Sequence, residues 1–221
     1  DQQLDLHGVH HKVKQLIDQY IAANGIDPKI PPIGILDVNF AEAVDANRSA
    51  RARASQMSHA ARHHITLHFN EDPDLYATFS AKLESILEEL KDRWDELERE
   101  LRQFIDNELR HGRDEEIEGL DPKVQAPFFG VIKRHLTKDD DLRLSEETLR
   151  AAVETTVAVV ETVESEIGRV GFWRDPVSRQ GLEKKLYRLL RRSKIIPSET
   201  LSELATRLVD LAKSRHRFLV S

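Results

Sequence analysis

The stretch "PDLYATFSAKLESILEELKDRWDELERELRQFIDNEL", residues Pro73 to Leu109, decides the fold class. Its apolar residues Phe79, Leu83, Ile86, Leu90, Trp94, Leu97, Leu101 and Phe104 are separated by 4, 3, 4, 4, 3, 4 and 3 positions. A mean step close to 3.6 keeps such a stripe on one side of a straight helix. Asp72-Pro73 supplies an N-cap followed by proline at the first helical position. His111-Gly112 supplies the stop. The spacing predicts one helix about 55 Å long at 1.5 Å per residue, a strut able to hold two things apart or together.

Similar signals run outward from it. Val13, Leu16, Ile17, Tyr20 and Ile21 give a leading helix over about 9–24, closed by Asn24-Gly25. "GIDPKIPPIGILD" follows, and Pro28, Pro31 and Pro32 forbid a helix through it, since each removes an N–H and extends its predecessor. Helical spacing resumes from about 38 to 69. Beyond "RDEEIEGLDPK" a short helix is expected over about 124–136. Ser145 with Glu146 and Glu147 caps another, with Leu149, Val153, Thr156, Val160, Val163 and Ile167 as its stripe. Its many β-branched residues require packing to sustain it. Two more helices, about 176–193 and 198–216, flank Pro197. "GFWRDP" joins two of these helices, and burial of Phe172 and Trp173 would lock their angle. The expected architecture is all-α, an elongated multi-helix bundle with one long central helix and a Pro-rich connector near the start. The expected organisation is 1–36 as leading helix and connector, 37–112 as a His/Arg-rich helix plus the long helix, and 113–221 as a C-terminal bundle continuous with 37–112.

Composition narrows the chemistry. Of 221 residues, 39% are hydrophobic, enough for a core, while 33% are charged and only 6% aromatic, the balance of a helical protein. Cysteine is absent, which excludes disulfides, thiolate catalysis and Cys-based zinc sites. No apolar run approaches 18 residues, so a cytoplasmic, membrane-free protein is the expectation. The sequence opens at Asp1 and its one methionine is Met57, which suggests a piece of a longer protein. Glycine is never followed by lysine, so a Walker A loop is excluded, and GxGxxG and GxSxG are missing too. The chain by itself reads as no catalyst.

The net charge of −6 is unevenly spread. From Glu84 to Glu100 there are eight acids against three bases, whereas "KKLYRLLRRSKIIPS", Lys184 to Ser198, has six bases and no acid. Lys184, Lys185, Arg188, Arg191 and Arg192 surround leucines at core spacing, so they are either a solvated face or contacts to a phosphate or acidic partner. "RARASQMSHAARHHITLHFNEDP", Arg51 to Pro73, is the other basic stretch. Its Arg51, Arg53 and Arg62 could clamp phosphates or pair with the acidic helix that follows. His59 and His63, and His64 and His68, are four apart, a spacing that suits two ligands of one zinc ion. Yet the HExxH glutamate is missing and the two pairs lie about 100° apart around a helix, so partnered interface histidines are favoured over metal.

In order, the segments "GIDPKIPPIGILDVNF", "RARASQMSHAARHHITLHFNEDPDLYATFSAKLESIL", "GLDPKVQAPFFGVI", "VGFWRDP" and "LATRLVDLAKSRHRFL" resemble the C-terminal helical region of type I restriction enzyme R subunits. Where that family often carries "ASEMEHA", this chain has "ASQMSHA". The resemblance implies a part that docks an ATP-dependent DNA translocase and endonuclease onto a methyltransferase core of modification and specificity subunits. ATP, Mg2+ and S-adenosylmethionine would belong to that parent complex, with no cofactor in this piece. For that docking reading the candidate contacts, taken from the charge pattern, are Arg62, His63 and His64 on one stretch and the basic face around Arg188, Arg191 and Arg192 on the other. The alternative is a helical nucleic-acid-binding module in which the same bases hold the DNA backbone.

Overall fold

A computed structural model describes residues 33–113, 117–136 and 144–220, and all regular structure among them is helical. The α-helices are α1 Phe40–Asp45, α2 Ala50–His68, α3 Pro73–Glu89, α4 Trp94–Phe104, α5 Ala126–Leu136, α6 Glu146–Ile167, α7 Pro176–Ser193, α8 Leu201–Ser214 and α9 His216–Leu219. A π-helical turn, Ile105–Leu109, prolongs α4, and a 3₁₀ turn, Phe172–Arg174, precedes α7. The leading helix and the three prolines of the connector fall outside the described residues, as does "TKDDD".

The long strut is not one helix. α3 stops at Glu89, Asp92 takes a left-handed φ of 67°, and α4 restarts at Trp94. The Arg93 guanidinium donates to the Glu89 carbonyl and pairs with Glu96 at 3.0 Å, which ties the two helix ends together. Phe79 and Phe104 would be about 37 Å apart along a straight helix. Instead their rings meet edge to face with centroids 5.9 Å apart, and Lys82 reaches Glu108 at 2.5 Å. The apolar stripe is folded back on itself. Leu83, Leu97 and Leu101 are buried, while Ile86, Leu90 and Trp94 at the bend are only half-buried. An unbroken 3.6 period describes a helical hairpin as well as a rod, because both arms turn their apolar side to the same core.

Two compact units emerge among the described residues, one comprising 33–67 together with Phe79–His111, the other His68–Thr78 together with the described residues from Gly112 onward. In the first, Ile35 is fully buried, and the Arg110 Nε donates to its carbonyl at 2.9 Å while the guanidinium lies over the Phe40 ring. Met57, Ala61 and Ile65 of α2 and Ile105 and Leu109 of the π turn are buried as well. The stop at Gly112 has φ 74°, a conformation that favours glycine.

In the second unit α5 packs on α6 and α8, and α7 packs on α6 and α8, the closed ring of neighbours of a four-helix bundle. The Ser145 hydroxyl accepts from the Thr148 N–H at 3.2 Å, capping α6. Ala152, Val159, Val160, Val163 and Ile167 carry its stripe into the core. The hydroxyls of buried Thr155 and Thr156 donate back to the carbonyls of Ala151 and Ala152, so they add volume to the core without orphaned donors. Gly171, at φ 81°, turns the chain into Phe172, which is buried, and into Trp173, whose ring meets Phe172 at 5.0 Å and His216 at 6.1 Å. The "GFWRDP" joint is therefore packed on both sides.

Candidate functional site

Leu182, Leu186 and Leu190 of α7 are fully buried. Lys184, Arg188 and Arg192 each lie two residues further on, about 200° around the helix, so the leucine stripe dictates a basic stripe on the far side. Asp175 sets the start of α7 by accepting from the Val177 and Ser178 N–H groups, both at 3.1 Å. The Ser178 hydroxyl bond and then the Val177 amide hold its carboxyl below the ordinary range. Lys194, left-handed at φ 60°, ends the helix.

Between α7 and α8 lies an open cleft of about 560 Å3. Lys184, Arg188, Arg191 and Arg192 line it, together with the neutral donors Gln180, Tyr187 and Ser202. Its one acid, Glu183, accepts from the Thr206 hydroxyl at 2.7 Å. Among the described residues no carboxylate pairs with Lys184, Arg188, Arg191 or Arg192, and all four are exposed. Lys185, on the adjoining side, is diverted to Glu166 of α6.

Such a stripe works against the helix that carries it. Like charges four apart cost about 0.2–0.5 kcal/mol per pair. Arg191 and Arg192 in the last turn recover some of that from the helix dipole, but Lys184 and Arg188 lie beyond its reach. An anionic ligand would offset the repulsion, and the donor set suits phosphate or carboxylate oxygens.

The other basic stretch is spent internally. On α2 the Arg51 guanidinium sits 5.1 Å from the centre of the Trp94 ring. Arg53 Nε donates to Glu98 at 2.8 Å and a terminal nitrogen donates to the Asn47 carbonyl. That bond, then the charge of Arg53, holds the Glu98 carboxyl below its ordinary range. Arg62 and the buried His64 are also partnered, and His63 is exposed. Burial, then His63 and Arg62, pull the His59 imidazole down, and its Nε2 is buried without a hydrogen bond. Among the described residues no group of three His, Asp or Glu side chains could hold a metal ion, and no helix is long and apolar enough to cross a membrane.

The largest concentration of buried charge has no counterpart in the sequence reading beyond the Asp72 cap. In the second unit Arg113 forks onto Asp72 with two bonds of 2.9 Å and reaches Asp74 at 3.3 Å. Arg134 meets Asp74 at 2.7 Å, and Arg217 meets Glu71 at 2.9 Å. Arg215 donates to the carbonyls of Glu71 and Lys123. Burial pulls Arg113 down, but the Asp72 bond and charge and then Asp74 outweigh it, so its guanidinium is held above its ordinary range. Arg215 has only carbonyl acceptors in this network, and burial wins there, lowering it. Burial, then Glu71 and Asp72, push the Tyr76 hydroxyl up to about 12. Each carboxylate here meets an arginine and Arg215 is held by carbonyls, so the network is structural, and the α7–α8 cleft is the candidate site. Ser202 joins that cleft from α8, 18 residues past Lys184 in sequence, and only the packing of the two helices brings them together.

Comparison with protein-family models, with curated proteins and with solved structures finds no match to this chain.

Proposed function

We propose that this chain is a non-catalytic helical assembly module, the counterpart of the C-terminal region of type I restriction R subunits. Its role is to dock an ATP-dependent translocase and endonuclease onto the DNA-bound methyltransferase core formed by modification and specificity subunits. One observation carries this reading: α7 presents four bases to an open cleft with no carboxylate answering them among the described residues. Such a stripe costs the helix a little stability through like-charge repulsion, which an anionic macromolecule on this surface would offset. The ordered resemblance of five segments supplies the parent complex, in which ATP, Mg2+ and S-adenosylmethionine are used by other parts.

The test is size-exclusion of this chain with the methyltransferase core encoded beside it, with and without duplex DNA, at low and high salt. Co-elution without DNA that survives high salt supports docking, whereas co-elution only with DNA, lost at high salt, means that the basic faces grip phosphates and the docking surface lies elsewhere. Separate elution under every condition removes the reading.

A further inference from the structure

We infer that the α7–α8 cleft seats the phosphodiester backbone of duplex DNA, and that within the assembly it is the DNA, not an acidic protein face, that this surface holds. The inference rests on the assembly reading for its setting, and on the cleft itself for its chemistry.

Three features favour phosphates. The first is composition. The centre of a protein–protein interface is depleted in charge and built around apolar anchors. Here four bases converge against one carboxylate, Glu183, which is engaged by Thr206, and the buried Ala205 is the only aliphatic side chain in the lining. Protein–DNA interfaces are the more polar and far more positive class. The second is spacing. Lys184, Arg188 and Arg192 recur every four residues along one rigid helix, a reach of about 12 Å. One DNA strand presents a phosphate every 3.4 Å of axis, so that reach spans roughly three to four phosphates. The third is the company the bases keep. Tyr187, Gln180 and Ser202 are the neutral donors that accompany arginine and lysine at phosphate oxygens. With one aromatic ring in the lining, the cleft offers no platform for stacking successive unpaired bases, which favours a duplex over a single strand.

Affinity of the whole chain for a labelled duplex of about 20 base pairs, followed by fluorescence anisotropy from 50 to 200 mM salt, tests this. Four phosphate contacts predict a log–log salt slope of about −3.6, which is a loss of roughly 150-fold over that range. Neutralising two of them with Arg188→Gln and Arg192→Gln should bring the slope to about −1.8 and the loss to roughly 12-fold. Arg188→Lys with Arg192→Lys should keep the original slope, and Arg150→Gln, on the exposed side of α6, should leave it unchanged. Circular dichroism confirms that each variant stays helical. A wild-type slope shallower than about −1, or a neutralised variant indistinguishable from wild type, overturns the inference. If the chain ignores duplex DNA but co-elutes with the DNA-free core, and the neutralised variant loses that, the cleft takes an acidic protein face and the assembly reading survives alone. If duplex binding shows the expected slopes but the chain never meets the core, the DNA site stands and the assembly reading falls.

Discussion

Replacing Asp72 with alanine should unfold the second unit far more readily than a surface substitution would. The Asp72 side chain is 7% exposed and its partner Arg113 is 10% exposed. Removing one member of a buried, doubly bonded pair costs about 3–5 kcal/mol, because the other charge is left without its counterion. Arg113 keeps a weaker contact with Asp74 at 3.3 Å, which argues for the lower end, about 3 kcal/mol. Asp72 Oδ1 also accepts from the Leu75 N–H at 3.2 Å, capping α3, and losing that adds about 1 kcal/mol. The sum is about 4 kcal/mol. Asp72→Asn retains an oxygen for the cap while deleting the charge, so it should lose about 3 kcal/mol, and the difference between the variants isolates the cap. The two tryptophans, Trp94 and Trp173, fall in different units. In a Trp94→Phe background, Trp173 fluorescence during urea unfolding reports the second unit alone. With a slope of about 2 kcal/mol per molar urea, Asp72→Ala should lower the midpoint by roughly 2 M. A fall worth less than about 1 kcal/mol would refute the argument, since it would mean that water already shares the Arg113–Asp72 pair.

Three further outcomes are expected. In Gly130→Ala the gain of about 1 kcal/mol in helix propensity should be outweighed, because the new Cβ would lie 2.8 Å from Asp74 Oδ2 and 2.9 Å from Asp74 Cβ. Overpacking of that kind costs about 1–3 kcal/mol, and a lowered melting temperature checks it. His135 should make the second unit acid-sensitive: burial pulls its imidazole below the usual 6.5, against the Val131 carbonyl bond, with Arg207 and Arg134 lowering it further and Glu203 opposing. The unfolded chain then binds the extra proton first, so stability is complete above pH 6.5 and is lost as pH falls through the folded value; His135→Gln should flatten that dependence in Trp173-monitored melts. Asp92→Gly should stabilise the α3–α4 hairpin by about 1 kcal/mol, since glycine takes φ 67° without strain, and Trp94 fluorescence in urea would show it.

Much of the fold was legible because local rules dominated it. Ser145 caps α6, Asp72-Pro73 opens α3 and Gly112 stops the chain as their residue types dictate. The sequence offered Leu186, Leu189 and Leu190 as the leucines of α7 at core spacing; Leu186 and Leu190 are buried as expected, Leu189 is only half-buried, and Leu182 completes the buried stripe in its place. The hairpin was not legible. Periodicity reports which side of a helix is apolar and says nothing about direction, and "ELKDRWDE" reverses without glycine or proline, through a left-handed aspartate. Charge was legible as composition and not as pairing. Arg53 and Arg188 both sit in basic stretches, yet one finds Glu98, 45 residues away, and the other finds no acid among the described residues. The Arg113 network was invisible for the same reason, because its members come from segments 39 to 146 positions apart.

The second unit is assembled from a short early segment, His68–Thr78, and a long later one, separated in the sequence by Phe79–His111 of the first unit. Arg215 bonds the Glu71 carbonyl across 144 positions of sequence. At about 5–20 residues per second, a ribosome needs on the order of 7–30 s to supply that arginine after the glutamate has emerged. Arg113 and Arg134, the counterions of Asp72 and Asp74, emerge earlier, within about 2–12 s, while the Glu71 carbonyl still waits for Arg215, and the hairpin can complete its own core first. A nascent chain paused before α8 would therefore hold a finished first unit and a second unit still lacking its last helices and the arginines that meet Glu71, a half-built state exposed to chaperones and proteases for seconds rather than microseconds.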